Sequence, residues 1–197
     1  MLQEEKMKLF EKERQYINIG ITPDGVAKKA IPIPWEVTAH SYNMCIPNVY
    51  FAPEDLEDDE IMDKLMSLKV LGCYIWAPLK DYSFISNFED LRDLSIMQGE
   101  NIRNLDFLNS HKECRMLLLE NVKVDNLDIL LDLNRGDLFT GLNCVALVNC
   151  EVADLSGFEQ EHFFMEFLIW ESACNGYSKN RWKNVRAAKK RYYKNNE

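Results

Sequence analysis

Cysteine, histidine and carboxylate side chains are the candidates for chemistry in this 197-residue chain. Their spacing matters because a zinc site needs closely spaced ligands and nucleophilic catalysis needs a base beside the nucleophile. None of the cysteines lies in a Cys-x-x-Cys pair, and histidines are few. The residues are Cys45, Cys73, Cys114, Cys144, Cys150 and Cys174, with His40, His111 and His162. We therefore expect reduced thiols, no metal site and no cofactor.

The common catalytic signatures are also missing from the sequence. It contains no Gly-x-Ser-x-Gly nucleophile elbow, no phosphate-binding P-loop, no Gly-x-Gly-x-x-Gly dinucleotide motif and no His-Glu-x-x-His zinc motif. Acidic residues are numerous, but no pair of carboxylates stands out as a general acid and base. The sequence therefore predicts a protein that works without catalysis.

A repeat in the middle of the chain determines where these side chains lie. Its apolar residues follow the pattern Leu-x-x-Leu-x-Leu-x-x-(Asn/Cys), which is clearest from Leu142 to Cys150. The first positions are 23, 23, 28 and 22 residues apart. They are Leu68, Leu91, Cys114, Leu142 and Phe164. A regular period of this length indicates stacked units, each too small to bury its apolar face alone.

Each repeat changes its apolar period half way along. The Leu-x-Leu half alternates apolar residues with others, which predicts a short strand. Apolar residues then recur at every third position, as in Val152, Leu155 and Phe158, which is typical of a 3-10 helix. The pattern resembles the 22-residue class of leucine-rich repeats found in the internalin family, most closely at residues 152–158. The resemblance implies an α/β leucine-rich-repeat solenoid with parallel strands on its concave face, 3-10 or short helical returns, and caps at both ends.

The ninth position of each repeat departs from that family. The family usually has Asn or Cys there, with a side chain that bonds to loop backbone. Only Cys150 fits, whereas Asn121 and Asn149 lie one residue earlier in their repeats. We therefore expect the ladder of polar side chains to be degenerate.

We expect one domain built from three segments. Residues 1–44 form an N-terminal cap, with a helix over the first sixteen residues and then a segment compatible with a β-hairpin across 17–33. Residues 45–175 form the repeat domain, in which Asp58–Leu68 reads as an amphipathic helix. Residues 176–197 form a basic amphipathic C-terminal helix or tail.

One face of the predicted strands is unusually apolar. The residues that alternate with the buried repeat positions have side chains that point away from the repeat interior. If that face were in contact with water, its side chains would be mostly polar. The apolar and aromatic members are Tyr74, Met97, Met116, Leu118, Val148, Leu168 and Trp170. We expect this concave face to bind a partner, because monomers rarely leave such a patch in water. The alternative is that another part of the chain, or a second copy, covers it.

The net charge of −9 is distributed unevenly. The last 19 residues contain eight basic side chains, from Lys179 to Lys194, and one acidic side chain, Glu197. Their net charge is therefore +7, and that of the preceding 178 residues is −16. An acidic body suits a basic protein partner through electrostatic steering. The basic segment favours the alternative of nucleic-acid association, in which Lys and Arg neutralise phosphates.

The sequence thus predicts a protein-binding module. A more specific form of this prediction is an intracellular inhibitor or immunity-type protein that binds a basic partner. A second copy of the chain is another candidate partner. No apolar run reaches the ~18 residues of a membrane span, and no signal peptide is visible at the start. We therefore expect a cytoplasmic protein that does not associate with membranes.

Overall fold

The computed structural model describes residues 16–26, 46–99, 101–133, 141–142, 144–154, 166–170, 172–174 and 185–187. The strands of these residues form two parallel sheets in an α/β-type fold. They are β1 (Tyr16–Ile21), β2 (Asn48–Phe51), β3 (Lys69–Ile75), β4 (Asp93–Met97), β5 (Asn101–Ile102), β6 (Met116–Glu120), β7 (Lys123–Asn126), β8 (Cys144–Val148), β9 (Glu151–Asp154), β10 (Glu166–Trp170), β11 (Ala173–Cys174) and β12 (Val185–Ala187). None of the described helices is long and apolar enough to cross a membrane.

The large sheet has eight strands in the order β12-β10-β8-β6-β4-β3-β1-β2. Its neighbours pair in register, so that Leu94 stands beside Leu117 and Leu119 beside Leu147. These alternate apolar residues enter one continuous core with the return segments of the repeats. The prediction of buried residues in parallel strands of one sheet is confirmed for Leu94, Ile96, Leu117, Leu119, Leu147 and Ile169.

A second sheet was not predicted from the sequence. Its four short strands follow the corners after β4, β6, β8 and β10, in the order β11-β9-β7-β5. Ile102, Val124 and Val152 are buried there, and Val124 stands beside Val152 in register. The repeats that begin with β4, β6, β8 and β10 therefore each contain a second strand after the corner, where the sequence predicted a 3-10 or short helical return.

The corners between the two sheets are built from polar residues with positive φ. Gln98, Asn121 and Asn149 have φ angles of 83°, 53° and 48°. Asn tolerates this left-handed region better than most residues do. The Asn149 side-chain Nδ2 donates a hydrogen bond of 2.6 Å to Asn121 Oδ1 in the preceding repeat. This polar contact between two repeats lies one residue before the ninth position, where the family usually has Asn or Cys.

Helical segments close the other side of the main core. The helix predicted over Asp58–Leu68 is confirmed as α1 (Asp59–Met66), whose Ile61 and Leu65 are buried. Asp58 caps it, because its Oδ1 accepts hydrogen bonds from Glu60 N at 2.9 Å and Ile61 N at 3.2 Å. A 3-10 helix at Pro53–Glu57 precedes α1, and further along the chain lie 3-10 helices at Ser83–Asn87 and Asp106–Leu108 and the short helix α2 (Ile129–Leu133).

Two expectations at the chain ends were wrong. The hairpin across 17–33 is excluded because β1 pairs in parallel with β2 on one edge and β3 on the other, which leaves it no edge for an antiparallel partner. The C-terminal helix is replaced at β12 by a strand parallel to β10. The large sheet thus extends into both predicted end segments. The helix expected before Tyr16 lies outside the described residues.

Replacing Leu119 by Ala should cost about 2–5 kcal/mol of unfolding free energy, because the residue is 0 % exposed and the cavity lies between neighbouring repeats. Lys123→Ala is the control, since Lys123 and its ion-pair partner Glu151 are both exposed. It should stay within about 0.5 kcal/mol of the native chain. Urea unfolding of both variants measures the difference, and similar midpoints would contradict the assignment of Leu119 to the core.

Candidate functional site

The large sheet has a second face, opposite the main core. On β6, Leu117 and Leu119 enter the main core, whereas Met116 and Leu118 point to the other side. Parallel pairing in register then aligns backbone positions in rows across the sheet. One row runs through Gly20, Tyr74, Ser95, Leu118, Ala146 and Leu168. The next row contains Asn18, Gly72, Asp93, Met116, Cys144 and Glu166.

The second face carries an apolar cluster over β4, β6 and β8. Its members are Met97, Met116, Leu118, Cys144, Ala146 and Val148, with Tyr74 and Trp76 packed against them. The structure therefore brings together five of the predicted partner-binding residues: Tyr74, Met97, Met116, Leu118 and Val148. Leu168 and Trp170 pair with Ala146 and Val148 in register, but their side chains lie outside the described ones.

The apolar cluster is covered within the single chain. Met97, Met116, Leu118 and Val148 are 3 %, 1 %, 2 % and 3 % exposed, and Tyr74 is half-buried. The sequence left open whether this face is bare or covered, and these exposures show that it is covered. Tyr74 on β3 and Trp76, which follows that strand, pack against the cluster. The cluster is therefore not accessible to a partner in this conformation.

Polar side chains occupy the same face beyond the cluster, towards β1. Asn18, Asp93 and Ser95 are each 3 % exposed. Gly72 lies among them, and a Cβ atom there would stand 2.7 Å from Asn18 Oδ1 and 2.8 Å from the Tyr74 hydroxyl. The missing side chain of Gly72 therefore lets these polar atoms lie against the sheet. The alternation of side chains along β4 places Asp93 and Ser95 on the same face as Met97.

Burial changes the protonation of Asp93. The loss of water around its carboxylate raises the pKa from 3.8 to about 6, although Arg92 and Arg115 oppose the shift. A carboxyl that holds its proton near pH 6 can donate a hydrogen bond inside the face. It does not meet the requirements of a general acid, because it is buried and no described groove opens onto it.

The buried thiols are poorly suited to nucleophilic chemistry. Cys73, Cys114, Cys144 and Cys150 are buried and form no disulfide bond. Loss of hydration raises the pKa of Cys114 to about 12 and that of Cys150 to about 11, and it raises the pKa of Cys73 still further. Since the thiolate is the reactive form, these cysteines act as small apolar residues. Among the described residues, no group of three or more His, Cys, Asp or Glu side chains could hold a metal ion.

Two open grooves lie along the 3-10 helices, away from the second face. The smaller groove has a volume of about 420 Å³ and is lined in part by Pro53, Leu56 and Phe84. The larger groove has a volume of about 590 Å³ and is lined in part by Leu79, Tyr82 and Phe107. Both also have charged side chains along their walls, among them Lys80 and Asp81. In the larger groove, Ser83 Oγ donates a 2.6 Å hydrogen bond to Asp81 Oδ2.

Comparisons with known families, curated proteins and solved structures found no match to this chain. The candidate site is therefore judged on its own geometry. That geometry is a buried face, apolar over β4, β6 and β8 and polar towards β1.

Asp93→Asn should remove a pH dependence of stability. The folded chain holds the Asp93 proton up to about pH 6, whereas the unfolded chain releases it near 3.8. The contribution of this proton to the free energy of unfolding is fully present below about pH 4. It is lost as the pH rises through 6, and its size is on the order of 3 kcal/mol. The variant should therefore gain stability over the native chain between pH 4 and 7 in urea unfolding. If the unfolding free energies of the variant and the native chain differed by the same amount at all pH values, the burial of the Asp93 carboxylate would be contradicted.

The six cysteines should all be reduced in the native protein. Thiol titration in denaturant should count six, and under native conditions Cys73, Cys114, Cys144 and Cys150 should react far more slowly, because they are buried. A count of four or fewer that rises after reduction would show disulfide bonds and contradict this expectation.

Proposed function

We propose that this chain is a leucine-rich-repeat solenoid of the 22-residue class and that it works by binding another protein rather than by catalysis. The repeat spacing supports the class, as do the in-register parallel strands and the corner hydrogen bond between Asn149 and Asn121. A stack of such units presents a continuous sheet surface, which is the feature that repeat proteins use for recognition.

The observation that carries the proposal is the apolar cluster on the second face. Packing of one repeat on the next requires only the main core, which already contains Leu94, Leu117 and Leu147. The opposite side of the strands could therefore remain polar and solvated. Instead, β6 carries Met116 and Leu118 there, and β8 carries Val148. Apolar residues of this kind, Met above all, adapt to the shape of a bound partner.

The charge distribution supports a basic partner. The described ion pairs Lys64–Glu60, Lys69–Asp90, Lys80–Glu57 and Lys123–Glu151 all lie at exposed positions. Each pair has no net charge, so the net −16 of residues 1–178 comes from the other acidic side chains. The electric field of this negative charge speeds the encounter with a positively charged protein, such as a nuclease or toxin. We propose a cytoplasmic inhibitor or immunity-type protein on this basis, with reduced thiols in keeping with that compartment.

The test begins with affinity capture from a native lysate, followed by titration of the purified chain with the captured protein. Leu118→Ala truncates the centre of the apolar cluster and should weaken binding about thirtyfold, the effect of losing an anchor residue worth about 2 kcal/mol. Phe107→Ala is the matched control, because Phe107 packs on the helical side of the main core. Its affinity for the partner should equal that of the native chain.

Melting temperatures of the same variants separate binding from folding. If Leu118→Ala lowers the melting temperature and leaves the affinity unchanged, the second face only stabilises the fold. If the capture recovers only RNA or DNA, and this is lost at high salt, the nucleic-acid alternative replaces the protein-binding proposal. Substitution of Lys189, Lys190 and Arg191 by Gln then tests the basic segment and keeps Val185–Ala187, which form an edge strand of the large sheet.

A further inference from the structure

The surface along the 3-10 helices differs from the second face, because it is open in the conformation described. The smaller and the larger groove share Leu79, Lys80 and Asp81 as a common wall. The smaller groove is also lined by residues of the 3-10 helices at Pro53–Glu57 and Ser83–Asn87. Its volume of about 420 Å³ falls within the range of roughly 300–1,000 Å³ that is typical of ligand sites. The smaller groove is therefore accessible to a binding partner.

One wall of the smaller groove is apolar. Leu56, Leu79 and Phe84 are half-buried, so each packs on the main core with part of its side chain and exposes the rest. The Phe84 ring makes an edge-to-face contact with the buried ring of Phe88, with centroids 5.8 Å apart. Such a wall can receive an apolar side chain or the methylene stem of a long charged one.

Hydrogen bonds hold both sides of the smaller groove in place. On one side, Ala52 N donates a 2.8 Å hydrogen bond to Asp55 Oδ2 at the start of the 3-10 helix Pro53–Glu57. On the other side, Ser83 N donates a 2.8 Å hydrogen bond to Asp81 Oδ1. A site that is held in place before binding loses less conformational entropy when a ligand arrives.

The rim of the smaller groove is acidic. Glu54, Glu57 and Asp81 contribute three negative charges and Lys80 contributes one positive charge, which gives a net charge of −2. Glu54 has no ion-pair partner among the described residues. Hydrogen bonds from Ser83 lower the pKa of Asp81, so its carboxylate stays ionised at neutral pH. The rim therefore attracts a cation and repels carboxylates and phosphates.

The ion pair between Lys80 and Glu57 at this rim is easily exchanged. Lys80 Nζ and Glu57 Oε1 lie 3.6 Å apart, and the two side chains are 95 % and 72 % exposed. Ion pairs this exposed to water contribute little to stability. A cation from a ligand can therefore replace Lys80 beside Glu57.

Arginine fits an apolar wall beside a carboxylate rim better than lysine does. Its guanidinium group can stack on an aromatic ring, such as that of Phe84, and can form two parallel hydrogen bonds with one carboxylate. Its methylene stem covers apolar surface. An apolar residue next to the arginine would contact the remainder of the wall.

We propose that the smaller groove binds an arginine and a neighbouring apolar side chain from a basic protein segment. Glu54 and Glu57 pair with the guanidinium group, Leu56 and Phe84 contact the apolar parts, and Lys80 is the competing cation. The proposal rests on the proposed function for the basic protein as partner. The binding of such a segment is a property of the groove itself and can be measured without that partner.

The probe is a capped peptide of sequence Gly-Phe-Arg-Leu-Gly, titrated into the isotope-labelled full chain and followed by NMR. It should shift the backbone amide signals of Leu56, Leu79 and Phe84 in a saturable way. Replacement of its arginine by lysine should weaken binding about threefold, and replacement by glutamate should abolish it. No saturable shift of these signals up to about 10 mM peptide, where even millimolar binding saturates, would overturn the proposal.

Two substitutions at the rim should have opposite effects on the affinity for the arginine peptide. Glu54→Gln removes a carboxylate and should weaken binding about fivefold, whereas Lys80→Gln removes the competing cation and should strengthen it about threefold. Glu113→Gln and Lys112→Gln are the matched controls, because they remove the same charges at exposed positions outside both grooves. Equal effects of rim and control substitutions would show only general charge attraction and would overturn the proposal.

The melting temperatures of the four variants should equal that of the native chain, because all four positions are exposed. The basic segment of this chain is the main alternative occupant of the groove. If the peptide binds only after Lys189, Lys190 and Arg191 are replaced by Gln, that segment competes for the groove and the assignment to a partner is overturned.

The outcomes for the groove and for the proposed function are separable. If a captured protein partner binds the chain but the arginine peptide does not, the groove proposal fails and the proposed function stands. If the peptide binds with the expected response to Glu54→Gln and Lys80→Gln but capture recovers no protein, the groove proposal is supported and the proposed function fails.

Discussion

The in-register pairing of short parallel strands is the constraint on which the rest of this structure depends. Because side chains alternate between faces, a slip of one residue would exchange the main core for the second face on every strand. Leu117 and Leu119 would then leave the core, and Met116 and Leu118 would enter it. The corner residues Gln98, Asn121 and Asn149 help to hold the register, since each ends a strand of the large sheet at an equivalent position. The strands β6 and β8 consequently bury apolar side chains on both faces, like strands in parallel sheets that are covered on both sides.

Much of the main core could be predicted from the sequence, because its signal is a repeated period. Leu94, Ile96 and Leu147 alternate with other residues inside units of similar length, which determines both the strand and the buried face. The second sheet could not be found in the same way, since β5 and β11 have two residues each and so carry no period. The turn-forming residues Thr22, Pro23, Asp24 and Gly25 favoured a hairpin across 17–33, but a turn does not determine the next partner of a strand. The pairing of β1 with β2 and β3 depends on residues distant in sequence.

The second face illustrates a similar limit for the candidate site. Its membership followed from alternation along the strands, and the structure groups Tyr74, Met97, Met116, Leu118 and Val148 as expected. The burial of this face could not be predicted from the alternation, because it depends on the whole chain and not on any one repeat. The raised pKa of Asp93 has the same origin, since the carboxylate becomes costly to ionise only once the face is closed to water. The cluster and the buried carboxylate are thus two consequences of one covered surface.

Oxidative footprinting of the methionines in the monomeric protein tests this central claim most directly. Met97 and Met116 lie in the apolar cluster and are 3 % and 1 % exposed, whereas Met62 on α1 is only partly buried. Brief exposure to hydroxyl radicals, followed by peptide mass spectrometry, gives an oxidation rate for each side chain. A covered second face predicts oxidation of Met97 and Met116 about tenfold slower than that of Met62. Equal or faster oxidation of Met97 and Met116 would show that the face is open to water and would contradict the account.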